Sequence, residues 1–124
     1  MKNHRPKNLN LFSIRFPIPA IVSILHRISG VILFLATPLV IWALSCSLDS
    51  QDSFQNLQDN LSTPLFKILA FGILSPFLYH FIAGIRHLLM DVNIGVSLKS
   101  GRASAFVTLI LAIVTIVLAG IYLW

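Results

Sequence analysis

Tyr79-His80-Phe81-Ile82-Ala83-Gly84-Ile85-Arg86-His87-Leu88-Leu89-Met90-Asp91 closes an apolar run that begins at Pro64. Histidine in such a run carries a solvation penalty and needs a partner that justifies it. At helical spacing His80, Gly84, His87 and Asp91 fall at i, i+4, i+7 and i+11, on one stripe. A ring nitrogen with a glycine one turn below it suits a flat macrocycle. The nitrogen can bind iron, and the missing side chain leaves room for the plane.

The composition around this stretch is that of an integral membrane protein. The chain has 124 residues, of which 56% are hydrophobic and only 10% charged, with a mean hydropathy of +0.87. A soluble domain carries roughly a quarter charged residues. The length suits one unit spanning 1–124. A net charge of +5 could point to nucleic acid, but the basic residues are dispersed and sit at the ends of apolar runs, where they act as topology signals. With Cys46 the one cysteine, no internal disulfide and no cysteine metal cluster can form.

Working outward, Met1 to Arg15 holds Lys2, Arg5, Lys7 and Arg15 and no acid. The apolar run after it contains His26 and Arg27 and lacks an A-x-A site, so it is expected to be retained rather than cleaved. Phe16-Pro17-Ile18-Pro19 is expected to stop any helix. A first span is expected over about 20–45, kinked at Pro38. Ser23, His26, Arg27 and Gly30 form one polar stripe near its start. Ser47 to Thr63 reads as a loop with Asp49, Asp52 and Asp59. Ser62-Thr63-Pro64 reads as a helix start with a hydroxyl cap, opening a second span over 64–88. Pro76 removes one backbone bond a turn before His80, where a local bend is expected. A second loop runs from Asp91 to Arg102, and a third, uncharged span covers 103–124, with Tyr122 and Trp124 as interface anchors.

The basic residues of the N-terminal segment and second loop place both on the cytoplasmic side. The polar stripe of the first span and His80 on the second then fall at the same depth, although more than fifty residues separate them in sequence.

His80 reads as an axial ligand to haem iron, or as a histidine bonded across a helix interface. Arg86 and His87 stand near enough to meet haem propionates, and Asp91 could pair with Arg86. His80 and His87 share one helix and cannot ligate opposite faces of one haem. A second ligand would come from His26 or from a partner chain. Arg27 inside a span costs about 2.5–3.5 kcal/mol on insertion scales. It can snorkel to the interface, pair with a propionate, or polarise a quinone carbonyl together with Ser23 one turn away. No HExxH, GxSxG, P-loop or paired carboxylates occur. The residues therefore suit electron or proton handling, with substrate oxidation left to other chains.

Two blocks carry a resemblance to a known family. Ser23-Ile24-Leu25-His26-Arg27-Ile28-Ser29-Gly30, preceded by Arg5-Pro6 and Phe16-Pro17-Ile18, and the H-x-x-x-G-I-R-H-x-x-x-D block from His80 to Asp91 resemble the cytochrome b membrane-anchor subunit of succinate dehydrogenase, respiratory complex II. The resemblance implies an all-α membrane protein of three transmembrane helices packed against a second three-helix anchor subunit. It implies haem b shared between the two anchors, with His80 the axial ligand and the other axial histidine on the second anchor. His26 and Arg27, and also His87, would lie in the vicinity of the propionates. Ser23 and Arg27 would line a ubiquinone site. A flavoprotein and an iron–sulfur subunit would dock on the cytoplasmic side of a bacterial inner membrane and feed in electrons from succinate, the anchor itself being non-catalytic. Lys7-Asn8-Leu9-Asn10 stands where some members carry Ser-Pro-His.

Three other readings share parts of this pattern. A quinol–fumarate reductase anchor would run the same fold in reverse. A cofactor-free structural anchor would show no haem spectrum. A small transporter would usually call for an inverted repeat or a dimer, and no repeat is visible.

Overall fold

The structure is a computed structural model that describes residues 15–124. The basic positions Lys2, Arg5 and Lys7, and the Arg5-Pro6 pair, lie outside the described residues. Four helices follow in order: α1 (Ile18–Asp49), α2 (Gln51–Leu61), α3 (Pro64–Asp91) and α4 (Leu98–Leu123). No strand occurs among the described residues. Three helices, α1, α3 and α4, are long and apolar enough to cross a membrane. At about 1.5 Å per residue, the shortest of them, with 26 residues, reaches about 39 Å, more than the roughly 30 Å of hydrocarbon.

α1 begins at Ile18, two residues earlier than expected. Pro17 caps it in an extended conformation and Pro19 lies in its first turn, where a missing amide proton removes no helical bond. The helix also continues to Asp49 rather than ending near Ser45. Both α1 and α3 run unbroken through their internal prolines, Pro38 and Pro76.

The segment expected as the first loop is mostly helix α2. Ser50 closes α1 in an extended conformation, and its hydroxyl accepts from the Ser53 amide at 3.1 Å, which caps α2. Asp52 in the first turn complements the helix dipole. α3 starts at Pro64 as expected, but the hydroxyl cap is not made: Thr63 Oγ1 donates back to the Asn60 carbonyl at 2.7 Å.

α3 ends in a Schellman motif. The Asn93 amide donates to the Met90 carbonyl at 3.0 Å and the Ile94 amide to that of Leu89 at 2.9 Å. Asn93 has φ of 63°, a left-handed conformation that asparagine tolerates. Gly95, at φ of 77°, completes the reversal. Ser97 then caps α4, accepting from the Ser100 amide at 3.2 Å. The second loop is thus shorter than expected, and Lys99 and Arg102 lie exposed within the first turns of α4.

α3 packs along both α1 and α4, and α1 also touches α4. The buried positions on α3 are Tyr79, Ala83 and Arg86, at i, i+4 and i+7. Those on α4 are Gly101, Ala105, Thr108 and Ala112, again one stripe. Small residues at the crossing let backbones approach closely, which lipid-embedded helices need because burial against another apolar face yields little over lipid. Large apolar side chains such as Phe34, Leu35 and Ile121 point outward. Tyr122 is exposed at the far end of α4, and the Trp124 ring meets Phe71 edge-on at 6.0 Å.

Candidate functional site

The two polar stripes do meet. His26 on α1 stacks on His80 of α3, with ring centroids 4.0 Å apart and planes 15° from parallel. His87, two turns further along α3, lies 4.8 Å from His26 at a 46° tilt. Three imidazoles from two helices are gathered in one half-buried cluster.

His80 is held through one nitrogen. Its Nδ1 lies 3.0 Å from Ser29 Oγ and 3.1 Å from the carbonyl of His26. Ser29 Oγ in turn donates to the same His26 carbonyl at 2.8 Å. Tyr79, one residue before His80, donates its phenol to the buried carbonyl of Val22 at 2.8 Å and ties α3 to α1 one turn from His26. His26 Nε2 is buried and has no hydrogen-bond partner. A Cβ at Gly84 would sit 3.6 Å from that atom, so the space expected beside Gly84 for a macrocycle holds the His26 ring.

Among the described residues, no group of three or more His, Cys, Asp or Glu side chains converges on a metal position. The histidines lie face to face. Two imidazoles that ligate one iron from opposite sides must point at each other through the metal, so His26 in this arrangement is not the partner ligand of His80. A second ligand would come from outside these residues. A buried, unpartnered imidazole nitrogen beside a histidine fixed at Nδ1 fits a cofactor that needs one axial ligand and one hydrogen-bond partner.

The other residues expected at the site divide. Ser23 is half-buried and Arg27 exposed on α1, each within one turn of His26. Asp91 is exposed at the end of α3. Arg86 departs from expectation. It is 5% exposed, its Nε donates to Ser104 Oγ at 3.1 Å, and its Nη2 donates to the Gly101 carbonyl at 3.2 Å. The guanidinium is committed to α4 rather than to Asp91 or to the histidines. Spacing carries the reason: Arg86 shares a helical face with Tyr79 and Ala83, not with His80 and His87. Ser29, three residues from His26, escaped notice because serine in an apolar run looks neutral until a partner helix is placed beside it.

A sequence profile described as the succinate dehydrogenase/fumarate reductase transmembrane subunit matches residues 1–119. The succinate dehydrogenase cytochrome b556 subunit of Coxiella burnetii is 42% identical over 125 aligned positions that span all of both chains. That of Paracoccus denitrificans is 29% identical, over 98% of this chain and 96% of its own. The mitochondrial cytochrome b560 subunit of Dictyostelium discoideum is 31% identical, over 86% of this chain and 56% of its own. A match over nearly the whole chain, with three spans in the fold and the two histidine blocks brought into contact, means that this protein belongs to the succinate dehydrogenase/fumarate reductase transmembrane subunit family.

Proposed function

We propose that this chain is the haem b-bearing anchor of a succinate:ubiquinone oxidoreductase, non-catalytic on its own and shaping part of the quinone site. The observation that carries the reading is the cluster itself: His80 fixed at Nδ1 beside a buried His26 Nε2 that has no partner among the described residues. His80 would hold the haem iron. His26, His87 and Arg27 would hold its propionates. A second histidine ligand would come from a second hydrophobic anchor subunit. When bound, the haem supplies a one-electron store within the membrane.

Ser23 and Arg27 serve the quinone. Reduction of ubiquinone takes two electrons and two protons, and negative charge builds on its carbonyl oxygens. The Ser23 hydroxyl donates a hydrogen bond to such an oxygen, and the Arg27 cation, a full turn along the same helix, stabilises the charge there. A flavoprotein and an iron–sulfur subunit dock at this end and deliver electrons from succinate. This end therefore faces the cytoplasm, and the helices cross the inner membrane of a bacterium. The relatives named above are all succinate dehydrogenase subunits, which favours succinate oxidation over fumarate reduction.

The test is a dithionite-reduced minus oxidised visible spectrum of membranes in which this chain is co-expressed with its neighbouring subunits, native against His80→Ala. Loss of a b-type band in the variant is the expected result. An unchanged band moves the ligand to His26 or His87. No band in an assembled native complex leaves a cofactor-free anchor whose interest lies in Ser23 and Arg27.

A further inference from the structure

We propose that Ser29 and Gly30 are positioning residues for His80: the hydroxyl is a second acceptor, beside the His26 carbonyl, for the proton on Nδ1, and the absent side chain makes room for the ring. The inference rests on the reading of His80 as an axial ligand.

The tautomer follows from counting protons. Ser29 is 4% exposed, and its single hydroxyl proton goes to the His26 carbonyl at 2.8 Å. That leaves only lone pairs on Oγ to face His80 Nδ1 at 3.0 Å. The second neighbour of Nδ1, the His26 carbonyl at 3.1 Å, can only accept. Both neighbours being acceptors, Nδ1 carries the proton and donates. The lone pair of the neutral ring then sits on Nε2, the form in which histidine ligates a metal. An acceptor on the far nitrogen also fixes the ring orientation and makes the imidazole a stronger donor to its metal.

Gly30 acts on the same ring from the adjacent position. A Cβ there would stand 3.1 Å from His80 Cε1 and 3.6 Å from Nδ1, so the ring would have to give by a few tenths of an ångström. Ser29 and Gly30 thus hold the imidazole by one contact that must be present and one that must be absent. Gly84, which the sequence singled out, is the less demanding glycine, because a Cβ there meets only an ordinary contact at 3.6 Å.

The experiment is a potentiometric titration of the b-type band, with the low-spin haem signal recorded by electron paramagnetic resonance, on the assembled complex. The variants are Ser29→Ala, Ser29→Thr, Gly30→Ala and His80→Ala. Ser29→Ala retains haem, since the His26 carbonyl still accepts from Nδ1, but its midpoint potential shifts upward and its low-spin signal moves. The shift is upward because a weaker imidazole donor stabilises ferric iron less. Ser29→Thr keeps the hydroxyl and restores the native potential. Gly30→Ala lowers haem content or moves the low-spin signal.

Native potential and signal in Ser29→Ala, in a complex whose band still disappears with His80→Ala, would overturn the proposal and leave the ligand assignment standing. Equal shifts in Ser29→Ala and Ser29→Thr would overturn it as well, since the hydroxyl would then not be the cause. A band that survives His80→Ala, or none in the native complex, would remove the ligand reading and this inference with it.

Discussion

The two ends of the bundle are held together differently. At the histidine end, side chains bond from helix to helix: Ser29 to His80, His80 to the His26 carbonyl, Tyr79 to Val22, and Arg86 to Gly101 and Ser104. At the α2 end, the hydroxyls of Thr37, Ser47, Ser75 and Thr115 donate to carbonyls of their own helices. There α1, α2 and α3 frame an open-sided apolar groove of about 670 Å³, lined by residues such as Ala36, Leu57, Ala70 and Phe77. In lipid, apolar faces gain little by leaving one chain of methylenes for another, so directional bonds and small-residue contact decide which helices sit together and at what rotation. The end that must hold rings in place is the end where those bonds are made.

The same substitution made at both ends is expected to separate them most widely. Ala83 is fully buried between α3 and its neighbours, and Ala70 lines the groove. Ala83→Leu is expected to destabilise by about 1–3 kcal/mol, because the packed crossing cannot take three more carbons. Ala70→Leu is expected to stay within about 0.5 kcal/mol of native, as surface changes do. Denaturant titration of the complex in detergent measures both. Similar costs at the two sites would mean that the groove is filled in the assembled protein.

A smaller effect separates interhelical from intrahelical bonds. Ser104→Ala leaves the buried Arg86 Nε without an acceptor and is expected to cost about 1–2 kcal/mol. Thr115→Ala removes only bonds to the carbonyls of Leu111 and Ala112 on its own helix and is expected to cost under about 0.5 kcal/mol. The same titration reads both. If Ser104→Ala proves as mild as Thr115→Ala, Arg86 is not the tie between α3 and α4. Of the interhelical bonds, the mildest loss is expected for Tyr79→Phe, which deletes one bond to a carbonyl. Interhelical bonds in membranes average about 0.6 kcal/mol, and a loss of that order in unfolding free energy is the expected outcome.

Much of this protein was readable before any helix was placed beside another. Pro64 marked the start of α3, and the run from His80 to Asp91 was correctly placed on one helix. The agreement in depth between the stripe at His26 and the stripe at His80 was borne out by a ring-to-ring contact. The polarity of 51–61 reads as loop, yet the segment is helix α2. Its signals were a serine cap at Ser50, an aspartate at 52, and Phe54, Leu57 and Leu61 on one face. Arg86 was misplaced for a different reason. Adjacency to His87 in sequence suggested a shared task, whereas a rotation of about 100° per residue sends the two side chains to different neighbours.

From the sequence alone come the three apolar helices long enough to cross a membrane and the residues within each that share a face. Those properties depend on local periodicity, hydropathy and motif spacing, all carried within one segment. That Ser29 meets His80, that Arg86 bonds to α4 and that His26 lies over Gly84 emerges from the packing of the helices. Each of these depends on the rotation and axial offset of one helix against another. A hydrogen bond formed within about 3 Å is lost when either changes by a fraction of a turn.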